Sequence, residues 1–122
     1  MKPYIILTIL LFFTACNTRE TAQIRISQEQ AREMMQNQNV VIIDVRTPGE
    51  FASGFIENAV LMPLDEIASL APYLIPDKDQ TLLIYCRSGS RSNTAAHVLI
   101  EMGYTSVYDF GGIIDWQGEI VR

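Results

Sequence analysis

The chain reads as one α/β domain, a parallel sheet with helices on both faces. Two observations predict this. Val40-Val41-Ile42-Ile43 and Leu82-Leu83-Ile84-Tyr85 are unbroken apolar runs, the pattern of parallel strands buried on both faces. Helical stretches separate them from two weaker strand candidates, Val60-Leu61 before Pro63 and Val107-Tyr108. That βαβα order requires crossover helices, which then cover the sheet.

A length of 122 residues accommodates one domain and not two. No internal repeat is visible. The net charge is −5 and no basic patch is present. Nucleic-acid binding, which relies on clustered Lys and Arg to neutralise phosphates, is therefore not expected.

The N-terminus does not belong to this domain. Lys2 is a minimal positive region, Tyr4 to Phe13 is almost wholly apolar, and Phe13-Thr14-Ala15 places small residues before Cys16. This is the layout of a secretory signal. The run is shorter than the roughly 20 apolar residues a membrane span requires. With a cysteine directly after Thr14-Ala15, it resembles a bacterial lipoprotein signal, although Phe13 stands where leucine is commoner. The resemblance implies loss of residues 1–15 and lipidation of Cys16. The exported domain is then anchored to a membrane of the bacterial cell envelope, on the periplasmic side or at the cell surface. A plain signal peptide cut elsewhere and an uncleaved apolar tail fit the same residues less well. Residues 16–23 form the lipidated cysteine and a short polar tether, and the domain occupies 24–122.

Within the domain, Ile24-Arg25-Ile26 alternates like a short edge strand. Ser27 as N-cap and Gln30 three residues on form a capping box. The helix they open is expected to run to about Gln36, with Ala31, Met34 and Met35 inward. After the second apolar run, Ala95, Val98, Leu99 and Met102 form one helical stripe. His97 and Glu101 fall opposite, and Gly103 is placed to end the helix.

The chemistry concentrates in Tyr85-Cys86-Arg87-Ser88-Gly89-Ser90-Arg91-Ser92, between a buried strand and that helix. In open α/β sheets ligands sit beyond the carboxyl ends of the strands. A helix N-terminus there favours an anion and lowers a thiol pKa. A short Ser/Gly loop can turn successive N–H groups inward as an anion nest. Arg87 and Arg91 add positive charge suited to oxyanions. Against this stands the plainer possibility of an inert core thiol and two solvated arginines. If Cys16 carries lipid, Cys86 is left without a partner, and an odd cysteine outside the cytoplasm suggests reactivity or an intermolecular bond.

The six residues Cys86 to Arg91 resemble the active-site loop of single-domain rhodaneses. Asp44-Val45-Arg46, Glu50-Phe51, Gly54-Phe55-Ile56, Ala59 and Pro63 resemble the family's first signature, and Gly111-Gly112 with Trp116 its C-terminal one. The resemblance spans about Ile24 to Trp116. Phe55 departs from it, standing where the family usually has histidine. The resemblance implies a three-layer α/β/α fold with a central, mainly parallel five-stranded sheet. It implies a sulfurtransferase in which Cys86 takes a sulfane sulfur from a donor such as thiosulfate, holds it as a persulfide, and passes it to cyanide or a thiol. Arg87, Ser88, Gly89, Ser90 and Arg91 match the substrate-binding cradle. The partners are then a small sulfur-containing anion and a thiol acceptor, which a protein can supply. No metal or organic cofactor is implied.

The loop also bears on related reactions. Cell-cycle phosphatases and arsenate reductases share the fold but place five residues between cysteine and arginine. Here four lie between Cys86 and Arg91, and the smaller loop suits a sulfur better than a phosphate. The same residues are also compatible with a non-catalytic binding or sensor module, or with a thiol-redox protein.

The remaining polar residues have structural readings. Arg46 and Glu50 are expected to pair and pin the loop after the first buried strand, with Asp44 capping backbone groups and Arg46 adding field near Cys86. His97, the only histidine, is expected to be exposed, so no Cys–His pair is anticipated. One histidine and one available cysteine are too few for a structural zinc site. For Tyr85 and Trp116, core packing competes with lining an acceptor pocket.

Overall fold

The computed structural model describes residues 24–122. The signal, Cys16 and the tether lie outside the described residues.

The first helix, α1 (Gln28–Asn37), opens with the expected capping box: Ser27 Oγ accepts from Gln30 N, and Gln30 Oε1 accepts from Ser27 N. β1 (Val40–Asp44) follows, then a one-turn helix α2 (Pro48–Ala52) and two short strands, β2 (Phe55–Ile56) and β3 (Val60–Leu61). α2 carries a second capping box, made by Thr47 and Glu50, with Pro48 at its start. There the pyrrolidine ring replaces an N–H that would have no helical partner. α3 (Ile67–Leu74) leads to β4 (Thr81–Cys86), and α4 (Ser90–Glu101) to β5 (Val107–Gly112). A 3-10 turn (Ile113–Asp115) and β6 (Ile120–Val121) complete the chain.

β3, β1, β4 and β5 form one parallel sheet in that order. Alternation along β4 divides the core in two. Leu82, Ile84 and Cys86 face α3 and α4, packing with Ile67, Ala71, Ala95, Ala96 and Leu99. Leu83 and Tyr85 face the other way, toward Ala31 of α1 and Phe110. Both faces are thus covered, as the two unbroken apolar runs required. α4 ends as expected: Gly103 adopts φ +98°, its N–H bonds Ile100 O, and Tyr104 N bonds Leu99 O. This is the Schellman arrangement, which glycine enters without a Cβ clash.

The sheet has four strands, not the expected five. The segment Ile24-Arg25-Ile26 makes a single bridge, Arg25 against Asp109. Asp109 N donates to Ile24 O at 2.8 Å and Ile26 N to Asp109 O at 2.9 Å. Pairing stops there because Ser27 already caps α1 and turns the chain off the strand line. A separate antiparallel pair joins β2 to β6.

Parallel pairing brings the carboxyl ends of the strands together. Asp44 pairs with Leu61 and with Tyr85, and Cys86 pairs with Gly112. Tyr85 ties this end of the sheet to β2, its hydroxyl accepting from Ile56 N at 3.0 Å. Tyr85→Phe leaves that buried N–H without a partner and is expected to destabilise the fold by about 1–3 kcal/mol in urea unfolding.

Candidate active site

β4 delivers Cys86 to the end of the sheet and α4 begins four residues later. The thiol is buried, at 1% exposure. Gly89 N donates to its Sγ at 3.0 Å, and Sγ stands 3.5 Å from Ser92 Oγ. Ser92 is itself fully buried and its hydroxyl also reaches Gly111 O, at 3.4 Å. α4 has no side-chain cap, so its first-turn amides are free to face the sulfur, where the helix dipole favours negative charge.

These contacts decide the state of the thiol. Burial pushes Cys86 up, but hydrogen bonds from the Ser92 hydroxyl and from the amides of Ser92, Gly89 and Ser88 outweigh it, leaving the pKa below an ordinary thiol's. A thiolate is the reactive form.

The turn that makes this possible depends on glycine. Gly89 has φ +101°, a left-handed conformation that other residues enter at a cost. Gly112 is required for a different reason. A Cβ there would lie 2.7 Å from the carbonyl carbon of Arg87 and 2.7 Å from Ser88 Cα, and would run into Arg87 O. The loop therefore lies directly on the backbone of β5.

The remaining polar residues of the motifs fall into two ion pairs, arranged otherwise than expected. Arg46 does not pair with Glu50. It folds back on Asp44, with NH2 to Oδ2 at 2.8 Å, and donates to Gly54 O at 2.7 Å. Asp44 is fully buried and also accepts from Arg46 N, which keeps its charge compensated. Glu50 instead takes Arg91 in a two-pronged pair, at 2.7 and 2.9 Å. The correction has a geometric cause: Arg46 precedes the α2 cap and turns inward, whereas Glu50 lies on α2 facing the start of α4. Arg91 is thus held at the loop by a carboxylate. Arg87, Ser88 and Ser90 are exposed and Gly89 is buried.

His97, Tyr85 and Trp116 stand apart from the sulfur. His97 is exposed on α4, and Tyr85 and Trp116 pack in the α1-side core. Phe55 stacks flat on Phe51, ring centroids 4.1 Å apart, which gives the departure from histidine a packing role. A cavity of about 470 Å³ lies between α1, β1 and Trp116 and includes none of the loop. A smaller one of about 280 Å³, lined by Val45, Arg46, Thr47, Pro63, Leu64, Asp65 and Arg91, borders the site, and its lining fits the chemistry better. Among the described residues no group of three His, Cys, Asp or Glu side chains is placed to hold a metal ion.

Three participants were not expected from the sequence: Ser92 as a sulfur contact, Asp109 and Arg25. Asp109 is fully buried, and Arg25 bonds it and Gly89 O. Ser92, at the first turn of the helix after Cys86, carried a usable positional signal. Arg25 and Asp109 lie 84 residues apart and carried none.

Known proteins share this sequence pattern and fold. The Rhodanese-like domain profile matches residues 27–119, and the chain belongs to that family. It is 38% identical over 73 residues to the thiosulfate sulfurtransferase PspE of Escherichia coli, covering 60% of this chain and 70% of that protein. It is 37% identical over 91 residues to a sulfurtransferase of Allochromatium vinosum, covering 74% and 83%. Among solved structures, an E. coli rhodanese with anions superposes with a TM-score of 0.64 at 35% identity, covering 67% of this chain and 96% of that one.

The Glu50–Arg91 pair has a readable pH signature. The Arg91 guanidinium holds the Glu50 carboxyl down at about 2, against an ordinary 4.5. A depressed carboxylate contributes stability above its unfolded pKa and loses it as pH falls through the folded one. The contribution is therefore present above pH 4.5 and is lost between 4.5 and 2. Glu50→Gln is expected to flatten the acid-unfolding curve in that window, and NMR titration of the wild-type carboxyl is expected to show a midpoint near 2.

Proposed function

We propose that this protein is a sulfurtransferase that carries sulfur as a persulfide on Cys86. The observation that carries the reading is a buried sulfur meeting the Gly89 amide at 3.0 Å at the uncapped start of α4, a setting that stabilises a thiolate and the anion replacing it. The named activities of PspE and of the A. vinosum relative support the same class.

With thiosulfate as donor, the Cys86 thiolate attacks the outer sulfur. The sulfur–sulfur bond of the donor breaks, sulfite leaves with its electron pair, and a persulfide anion remains. The persulfide's terminal sulfur is then attacked by cyanide, giving thiocyanate, or by a thiolate, giving a new persulfide. Each transfer returns Cys86 as thiolate. Arg87 and Arg91 attract the anionic donor, and the amides from Arg87 to Arg91 cradle the persulfide. No metal or organic cofactor enters these steps.

Intact mass of the purified chain after incubation with thiosulfate tests this. The expected result is a gain of one sulfur atom that cyanide or thiol removes and that Cys86→Ser abolishes. A folded, reduced protein that takes no sulfur from thiosulfate or other sulfane donors would instead be a binding or sensor module.

We further propose that the domain is exported and anchored by lipid at Cys16 to the bacterial cell envelope, as the signal-like N-terminus suggests. Metabolic labelling with a radioactive fatty acid is expected to mark the wild type and not Cys16→Ser. An unlabelled wild type would remove the anchor.

A further inference from the structure

Gly89 is held through the two peptide groups that flank its Cα. Its N–H points at Cys86 Sγ, and its carbonyl accepts from Arg25 NH2 at 2.9 Å. Arg25 also reaches across to Asp109, with Nε to Oδ2 at 2.9 Å and NH2 to Oδ2 at 2.7 Å. The guanidinium lies against the loop backbone: a Cβ on Gly89 would come within 3.1 and 3.2 Å of its two terminal nitrogens.

Asp109 reaches the sulfur by a second route. Its Oδ1 accepts from Gly111 N at 2.9 Å, and Gly111 O accepts from Ser92 Oγ, the hydroxyl beside Sγ. The Gly89 amide and the Ser92 hydroxyl thus both lie against backbone that one buried carboxylate anchors, and the single Ser92 proton serves either Gly111 O or the sulfur anion. Asp109 cannot shift easily, since its own N–H and carbonyl are bonded to Ile24 and Ile26 on either side of Arg25.

We infer that Arg25 and Asp109 are positioning residues of the sulfur site. Together they hold the carbonyl that follows the left-handed Gly89 Cα, and so fix the conformation in which the N–H before it is aimed at the sulfur anion. This role deepens the proposed function and rests on it for the sulfur anion as the working species; the geometry stands without it.

Several charged groups surround the loop. Arg87 belongs to it, Arg91 is paired with Glu50, and Asp44 is paired with Arg46 at the end of β1. Among the arginines of the described residues, Arg25 is the one whose guanidinium bonds the carbonyl of the residue whose N–H meets the sulfur. Its side chain is half exposed, so replacing it opens no core cavity.

The test is the pH profile of Cys86 alkylation by iodoacetamide, a neutral reagent that reads thiolate, in the full-length chain. Arg25→Gln is expected to move the midpoint up by about one pH unit, the scale of one lost hydrogen bond to a charged group. That shift is expected to persist in about 1 M salt, where the Debye length falls to about 3 Å and the field of a distant charge is screened. Arg32→Gln, an equal charge change on the exposed face of α1, is expected to leave the midpoint in place. An unmoved midpoint in folded Arg25→Gln overturns the inference, and so does a shift that high salt abolishes, which would reduce Arg25 to a distant charge. If Arg25→Gln does not fold, Arg25→Met decides in its place: a salt-resistant shift supports the inference, and no shift or a salt-sensitive one overturns it. Because alkylation requires no sulfur donor, failure of the persulfide assay leaves this result readable, and the reverse also holds.

Discussion

A sulfur atom buried at the end of a parallel strand is stable as an anion only if donors surround it. That requirement organises this end of the molecule. The chain must leave β4, turn within three residues, and present the Gly89 N–H to Cys86 Sγ before α4 begins. The turn needs the left-handed φ of Gly89, and its closeness to β5 needs a residue without Cβ at Gly112. An uncapped helix start then serves the site, because the amides a capping side chain would occupy remain free.

Charge compensation surrounds that interaction. Arg25, Arg46 and Arg91 each hold a carboxylate, and two of those carboxylates, Asp44 and Asp109, are fully buried. A buried carboxylate without a partner is strongly unfavourable, so each pair constrains the backbone on which its members sit. Asp44–Arg46 sets the exit of β1, Glu50–Arg91 fastens α2 to the start of α4, and Arg25–Asp109 fastens the N-terminal segment to β5. Arg87 has no carboxylate partner among the described residues and lies exposed at the loop.

Much of this was legible in the sequence. Long runs such as Val40 to Ile43 and Leu82 to Tyr85 announce buried parallel strands because both faces must be apolar. The capping box at Ser27 and the C-terminal Gly103 are local devices, written in residues that touch one another along the chain. The loop from Cys86 to Arg91 is similarly continuous, so its position beyond a strand and before a helix could be read directly. The β2–β6 pair could not, since two-residue strands carry no periodicity. Nor could the shortening of the fifth strand, which follows from competition between pairing at Arg25 and the α1 cap at Ser27.

The sequence by itself determined the fold class, the family resemblance and the cysteine on which the proposed chemistry centres, because these depend on local pattern and on contiguous residues. Tertiary structure decided which charges meet. Arg46 chose Asp44 over Glu50, Glu50 chose Arg91 some 41 residues away, and Arg25 met Asp109 across 84. Ion pairing depends on distance and on burial in three dimensions, and neither is encoded in the spacing of residues along the chain.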